Sequence, residues 1–254
     1  MIPVSDVNPT RRTPIMNLLL IGLNIVVFLY EIQLSNRGLN RFVFQWGVIP
    51  SDVLAAIAHP LAPGASHAFL TLISSQFIHA NFLHIIGNML FLFIFGDNIE
   101  DVMGSFTYLV FYLLSGIAAG LTQAFVFAPF LGGGDVPSIG ASGAIAGVLG
   151  AYLILYPTTR IRVIIPPLFF LPFSLPAIVM IGFWFVLQFI SGVGALSPSG
   201  AASGGVAYWA HVGGFVTGMI LILPFWGKAR EMRRPAVQRY YAPPPSPYDD
   251  GPRW

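Results

Sequence analysis

The polar side chains of His84, Asn88, Ser142 and His211 lie within long apolar stretches of this sequence. Polar groups in such surroundings are costly to bury and usually face a cavity or a partner. A serine hydroxyl is a weak nucleophile that needs an adjacent base, and a neutral imidazole can accept its proton near pH 7. The residue types therefore predict that Ser142 is a nucleophile and that His211 is its base.

The charge that develops during such a reaction also needs hydrogen-bond donors. His84 and Asn88 are four residues apart and therefore share one face of a helix. The Asn88 amide, the His84 ring and the Ser142 backbone N–H are predicted to stabilise the oxyanion. No Asp or Glu lies in the apolar parts of these helices, so we expect a Ser-His dyad rather than an Asp-oriented triad.

The composition indicates which elements must position these groups. The chain has 254 residues, of which 56% are hydrophobic and 9% charged, whereas a soluble domain carries about a quarter charged residues. Runs of about 20 apolar residues match the thickness of a bilayer. The absence of cysteine excludes disulfides, thiol nucleophiles and thiolate metal sites. The sequence also lacks the basic stripe with interleaved aromatic residues that would indicate nucleic-acid binding. The sequence predicts an integral, multi-pass membrane protein.

The apolar runs predict an all-α bundle of six transmembrane helices. The spans are residues 15–32, 82–95, 106–127, 141–156, 176–190 and 208–225. Between the first two spans, an aromatic but broken stretch is predicted to be a long structured interfacial loop. The domain division is a cytoplasmic N-terminus (residues 1–14), a six-helix domain (15–226) and a cytoplasmic, disordered tail (227–254).

The charges and the span lengths give a topology and a depth. Most Lys and Arg residues lie in the N-terminus, the connection with Arg160 and Arg162, and the tail, which places both termini in the cytoplasm. His84, Ser142 and His211 each lie about 20 Å from the inner end of their span. In a hydrocarbon core of about 30 Å, all three would lie at one level, roughly 10 Å below the outer surface.

Three rival functions can be weighed against the dyad. A zinc hydrolase could recruit His79, His84 and His211, but it requires an HExxH-type helix that this sequence lacks. Residues 132–135 formally match the GxGD motif of intramembrane aspartyl proteases, yet Asp135 has no second intramembrane carboxylate. A channel or a protein that binds transmembrane clients would keep the fold and lose the dyad, whereas both Ser142 and His211 are present here. Reaction of Ser142 with a mechanism-based serine-hydrolase probe would distinguish this alternative from an enzyme.

Several short motifs together resemble the rhomboid family of intramembrane serine proteases. GASG at residues 140–143 resembles the family's GxSG motif, and AHVGG at residues 210–214 resembles its AHxGG helix. His79, His84 and Asn88 match the spaced His, His and Asn of its second span. The resemblance covers about residues 15–225. One departure is that Trp46 is followed by Gly47, whereas many members have a Trp-Arg pair in the first loop.

The resemblance implies a serine endopeptidase that cuts single-span transmembrane proteins near the outer face of the membrane. It implies a supporting role for His79 near the oxyanion site. The small residues Gly214 and Gly218 would allow close helix packing. The partners would be these substrates and membrane lipids, with no metal or organic cofactor, and the sequence indicates no oligomeric state.

The resemblance also implies lateral entry of substrate past the fifth span, which is aromatic at Phe183, Trp184 and Phe185. The Gly- and Ser-rich loop at residues 192–205 would form a mobile cap. The short polar segment at residues 1–14 contains no targeting presequence. We therefore expect the protein to lie in a prokaryotic plasma membrane.

Overall fold

The structure is a computed structural model that describes residues 1–131, 134–165, 169–196 and 206–232, without the side chains of residues 127–131 and 169–172. Within these ranges the chain forms nine α-helices and three β-strands. The helices are α1 (Ile15–Glu31), α2 (Asn36–Trp46), α3 (Pro50–Ala58), α4 (Ala65–Ser74), α5 (Phe82–Met103), α6 (Ser105–Leu131), α7 (Ser142–Leu155), α8 (Ala177–Ala195) and α9 (Tyr208–Leu221). The strands are β1 (Ile2–Asp6), β2 (Arg160–Ile165) and β3 (Phe169–Pro176).

Four of the described helices are long and apolar enough to cross a membrane. They are α5, residues 105–126 of α6, α8, and the helical stretch Tyr208–Met232 that begins with α9. The apolar helices α1 and α7 are shorter, at 17 and 14 residues. The mostly helical membrane fold is thus observed, and the count of six spans remains a prediction.

Helix α7 lies at the centre of the bundle. Every residue from Gly143 to Tyr152 is buried, because α5, α6, α8 and α9 all pack against this helix. Most of these residues are small or aliphatic, which lets neighbouring backbones come close. A helix enclosed in this way is screened from lipid by protein, so it can be shorter than a lipid-exposed span.

A carboxylate from α5 holds the beginning of α1. Glu100 is buried and accepts the backbone N–H groups of Met16 and Asn17, at 3.0 and 2.7 Å. These groups lie in the first turn of α1 and have no acceptor within that helix. The negative charge also favours the helix N-terminus electrostatically. Glu100 therefore fixes the position of α1 against α5.

The stretch at residues 33–81 contains α2, α3 and α4 and a 3-10 helix, Ser75–Phe77. It holds the segment that precedes α7 through backbone hydrogen bonds. Val48 and Ser138 exchange two such bonds, at 3.0 and 2.7 Å, and the Gly140 N–H donates to the Ser75 carbonyl oxygen at 2.9 Å. This region therefore supports the approach to the central helix.

The expectation of an all-α protein is wrong in one respect, because β1, β2 and β3 form an antiparallel sheet in that order. β1 lies in the segment that was predicted as a simple N-terminus. In β2, the exposed Arg160 and Arg162 alternate with the buried Ile161 and Val163, which is the pattern of a strand with one covered face. The two arginines were interpreted as topology signals, and this alternation was overlooked.

The Asp6 side chain connects the sheet to the helices. Its Oδ2 accepts the Tyr152 hydroxyl of α7 at 2.6 Å and the Asn98 amide of α5 at 3.2 Å. Burial raises the pKa of the Asp6 carboxyl above its ordinary value, although these hydrogen bonds oppose the shift. The C-terminal end of α7 is thereby attached to the N-terminal strand.

The predicted tail begins within a helical segment, because residues 226–232 are helical. The rest of that prediction, residues 233–254, lies outside the described residues. The predicted cap at residues 192–205 is only partly described. Its first residues belong to α8, which ends at Ala195, and residues 197–205 lie outside the described part of the chain.

Candidate active site

Ser142 is the first residue of α7 and is half-buried. The chain reaches it through Gly140, whose φ of +125° is a conformation that residues with a side chain rarely adopt. A Cβ atom at Gly140 would also lie 2.8 Å from the His84 ring. Glycine at this position therefore allows the chain to turn into α7 while the imidazole of His84 stays close to the serine.

His211 lies in the first turn of α9, and its side chain is buried. Its Nε2 is 2.8 Å from the Ser142 Oγ. This is a hydrogen-bond distance, so the ring can accept the hydroxyl proton directly. The structure brings together the two residues that were predicted as nucleophile and base, although they are 69 positions apart in the sequence.

Glycine contacts between α7 and α9 set the register of this pair. A Cβ atom at Gly214 would overlap the Gly143 carbonyl oxygen, and one at Gly218 would overlap the Gly147 carbonyl oxygen. The two backbones are thus too close for any side chain at either glycine. Gly143 directly follows Ser142, and Gly214 lies three residues after His211, so the same contact aligns the two side chains.

A cavity of about 450 Å³ opens beside the pair, and its lining includes Ser142, His211, His84 and Asn88. The Asn88 side chain is buried, and its Nδ2 has no hydrogen-bond partner among the residues that the structure describes. Leaving a buried donor unpaired is costly, so such groups often have a functional reason. The amide is therefore available to bind an oxygen atom of a molecule in the cavity.

His84 is held at the beginning of α5 by two local hydrogen bonds. Its backbone N–H donates to the side chain of Asn81, the N-cap residue of the helix, at 2.9 Å. Its Nδ1 accepts the Ala80 backbone N–H at 3.4 Å. In a neutral imidazole, an accepting Nδ1 leaves the proton on Nε2. His84 can therefore act as a hydrogen-bond donor through that nitrogen.

His79 packs against His84, with ring centroids 5.1 Å apart in an edge-to-face arrangement. Its backbone N–H donates to the buried Glu31 carboxylate of α1, at 3.2 Å to the nearer oxygen. Burial, together with a smaller effect of the nearby His84, lowers the pKa of His79 to about 4. His79 is thus a neutral residue that touches the second histidine rather than the serine.

The cavity lacks the groups that an aspartyl protease or a zinc hydrolase would need among its described lining residues. Asp135 accepts a hydrogen bond from the Ser51 hydroxyl at 2.9 Å, outside the cavity. None of the described residues that line the cavity is Asp or Glu. Among the described residues, no group of three or more His, Cys, Asp or Glu side chains could hold a metal ion.

Comparison with known proteins identifies the family. The family model described as "Rhomboid domain" matches residues 66–228, which is more than half of the chain and includes both residues of the pair. The chain belongs to the rhomboid family. The predicted resemblance is confirmed, and with it the assignment to a family of membrane proteins that includes serine proteases.

Three relatives illustrate the range of this family. Rhomboid protein 1, mitochondrial, of Saccharomyces cerevisiae is 28% identical over 230 residues, which cover 87% of this chain and 57% of the relative. The human presenilin-associated rhomboid-like protein, mitochondrial, is 31% identical over 135 residues, covering 51% of this chain and 34% of the relative. Rhomboid protease GluP of Bacillus subtilis is 42% identical over 76 residues, covering 30% and 14%.

This rhomboid chain spans little more than half the length of the yeast relative. Two matched proteins are named as mitochondrial and chloroplastic, and a third comes from a bacterium. These names therefore do not select one membrane for this chain. What they share is the rhomboid domain, and one of them is named as a protease.

Two residues of α8 complete the surroundings of the base in this rhomboid domain, and the sequence analysis missed their role. The Gln188 Oε1 is 2.7 Å from the His211 Nδ1. The Trp184 ring lies over the imidazole with centroids 5.7 Å apart and planes tilted by 38°. Gln188 lies in an apolar helix, so the rule that selected Asn88 would also have selected it.

Proposed function

We propose that this protein is an intramembrane serine endopeptidase that uses a Ser142/His211 dyad to cleave transmembrane helices near the outer face of the membrane. The observation that carries the proposal is the 2.8 Å contact between the His211 Nε2 and the Ser142 Oγ at the wall of a cavity. Membership of the rhomboid family supports the reaction class.

The reaction would begin with attack of the Ser142 Oγ on the carbonyl carbon of the scissile peptide bond. The hydroxyl proton passes to the His211 Nε2, and a tetrahedral oxyanion forms. His211 then gives this proton to the departing amine as the C–N bond breaks, which leaves an acyl-enzyme. A water molecule, deprotonated by His211, hydrolyses the ester and restores the serine.

Three donors would bind the oxyanion in this proposal. The Asn88 Nδ2 is buried and unpaired, and the His84 Nε2 carries the proton that its Nδ1 cannot. The Ser142 backbone N–H lies at the first position of α7, where an N–H has no acceptor within its helix. Such donors are worth more in an apolar cavity than in water.

The substrate would reach the cavity laterally, past α8. Among the four long described helices, α8 is the least buried. Only 22% of its most apolar 18-residue stretch is buried inside the protein, against 50% for α5. Phe183 is 51% exposed on this helix. A loosely packed helix can move at less cost than the enclosed α7. A transmembrane substrate would have to unwind locally to present its backbone to Ser142, since a helix already satisfies its own N–H and C=O groups.

The proposed topology has six spans, with α1 and α7 as the two short ones and both termini in the cytoplasm. The first residue of α7 is Ser142, and α7 rises about 20 Å from its inner end to that residue. The dyad would then lie roughly 10 Å below the outer surface of a bilayer with a core of about 30 Å. The Lys and Arg distribution supports the cytoplasmic placement of both termini, and we propose a prokaryotic plasma membrane as the location.

A cleavage assay in liposomes tests the proposal. The substrate is a single-span protein with Ala and Gly near the outer end of its helix, and the enzymes are wild type, Ser142→Ala and His211→Ala. We expect cleavage by wild type and a loss of at least about a thousandfold in kcat in both variants. Wild-type cleavage that persists in Ser142→Ala overturns the mechanism. If no version cleaves several such substrates, a client-binding function replaces the protease.

A further inference from the structure

Both ring nitrogens of the base have partners, and these partners come from different helices. The His211 Nε2 is 2.8 Å from the Ser142 Oγ on α7, and its Nδ1 is 2.7 Å from the Gln188 Oε1 on α8. To accept the serine proton, Nε2 must be unprotonated. A neutral imidazole then carries its one proton on Nδ1. The carbonyl oxygen of Gln188 is the acceptor that such an N–H requires.

In Ser-His-Asp enzymes, a carboxylate holds the imidazole in this tautomer. Here, His84 is the other titratable imidazole among the described residues that line the cavity, and no carboxylate is among them. Burying a lone carboxylate in an apolar bundle would be costly. A neutral amide accepts the same N–H without adding a charge, so Gln188 suits the membrane interior better than Asp would.

Helix α8 contacts the imidazole on its face as well as at its edge. Trp184 lies one turn before Gln188, so the two side chains share one face of α8. The Trp184 ring covers the imidazole at 5.7 Å, while the Gln188 amide meets the Nδ1 edge at 2.7 Å. Stacking restricts the tilt of the ring but does not decide which nitrogen is protonated. That choice depends on the Gln188 carbonyl oxygen.

We infer that Gln188 is a positioning residue that keeps His211 in the tautomer with its proton on Nδ1, and thereby makes Nε2 a base for Ser142. This inference rests on the proposed function. Gln188 acts through the imidazole and does not touch the reacting atoms. It also links the base to α8, the helix past which the substrate is proposed to enter.

The tautomer can be measured directly by NMR on the full-length protein in detergent micelles, with selective ¹⁵N labelling of its five histidines. A spectrum of His211→Ala assigns the His211 signals by their absence. At neutral pH we expect a protonated Nδ1 and an unprotonated Nε2 in wild type, and a mixture of both tautomers in Gln188→Met. A wild-type ring protonated on Nε2, or an unchanged ring in Gln188→Met, overturns the inference. The wild-type measurement does not depend on how well any Gln188 variant folds.

Kinetics give a second, independent readout. Gln188→Met keeps the length of the side chain and removes the strong acceptor, so we expect kcat to fall about tenfold, the usual scale of one neutral hydrogen bond, with KM nearly unchanged. Gln188→Glu restores an acceptor, and its charge favours the imidazolium. We therefore expect it to recover most of kcat and to move the acidic limb of the pH profile to higher pH.

The matched control is Leu187→Ala, a change at the adjacent residue of α8, whose side chain is 44% exposed. It should keep the wild-type kcat and pH profile. Suppose that wild type cleaves in a Ser142-dependent way. A wild-type kcat in Gln188→Met, or an acidic limb that does not move in Gln188→Glu, then contradicts the role of Gln188 and leaves the protease proposal intact. If wild type itself does not cleave, the protease proposal fails, and the NMR tautomer still decides the positioning inference.

Discussion

The contact of α7 with α9 and the contact of α8 with the same α9 differ in how closely the backbones approach. At the first, Gly214 and Gly218 face the carbonyl oxygens of α7 without room for a side chain. At the second, large rings separate the helices, as in the stack of Phe185 on Phe215 at 4.4 Å. Ser142 and His211 are therefore aligned by a rigid backbone contact, whereas the helix beside them is held by side chains that can repack.

The largest expected effect comes from adding one carbon atom at the rigid contact. In Gly214→Ala, the new Cβ would overlap the Gly143 carbonyl oxygen, and backbone cannot move aside easily. We expect a loss of about 3 kcal/mol in unfolding free energy, measured by thermal denaturation in detergent, together with loss of cleavage.

The matched control for this change is Gly182→Ala on α8, where a Cβ would meet nothing within 4 Å. Because alanine favours helix over glycine, we expect a gain of about 0.5–1 kcal/mol in stability. Equal losses at the two glycines would contradict the difference between the two contacts.

The second prediction concerns the donor in the cavity. Asn88→Ala removes an amide whose Nδ2 has no hydrogen-bond partner within the described part of the chain, so we expect the melting temperature to stay within a few degrees of wild type. Loss of one oxyanion donor should reduce kcat by about a hundredfold. A large drop in melting temperature with little change in kcat would mean that Asn88 holds the helices together instead.

The third prediction tests the looser contact. Phe185→Ala removes the stack on Phe215 and should let α8 move away from α9 more readily. If substrate enters past this helix, we expect kcat/KM for a transmembrane substrate to rise by about threefold while stability falls. A proportional fall of both quantities would argue against entry at α8.

The smallest effect is expected at the inner end of α7, where Asp6 accepts the Tyr152 hydroxyl. Because burial raises the pKa of Asp6, the folded protein binds its proton more tightly than the unfolded chain does. Stability should then fall as the pH rises from about 3.8 through the raised pKa. In Asp6→Asn this decrease should become smaller, because the Asp6 contribution is lost while other titratable groups still contribute; an amide oxygen can still accept from Tyr152. A wild-type stability that rises across this range would show that Asp6 is not the buried acid.

The polar residues of the candidate site were easier to predict from the sequence than the contacts between its helices. Ser142, His211, His84 and Asn88 were recognisable because each is polar within an apolar helix, and helical rise alone placed three of them at one depth. The pairing of Gln188 with His211 depends on how α8 is rotated against α9, and no local pattern encodes that rotation. The contact was therefore found only in the structure.

The sheet was missed for a related reason. β1 and β2 are more than 150 residues apart, and a short alternating segment is a weak signal until its partner is known. Likewise, no local pattern shows that Glu100 accepts the Met16 and Asn17 N–H groups, because these groups lie in another helix. The pairing of Ser142 with His211 followed from their chemistry, whereas contacts between elements that carry no such chemistry were not predictable.

The central claim is that His211 activates Ser142, and the rate of covalent labelling tests it most directly. The protein is incubated with a fluorophosphonate, and the modified residue is mapped by mass spectrometry of its peptides in wild type, Ser142→Ala and His211→Ala. We predict one adduct on Ser142 in wild type, none in Ser142→Ala, and labelling at least about a hundredfold slower in His211→Ala. An adduct on another residue, or equal labelling rates in wild type and His211→Ala, would contradict the dyad.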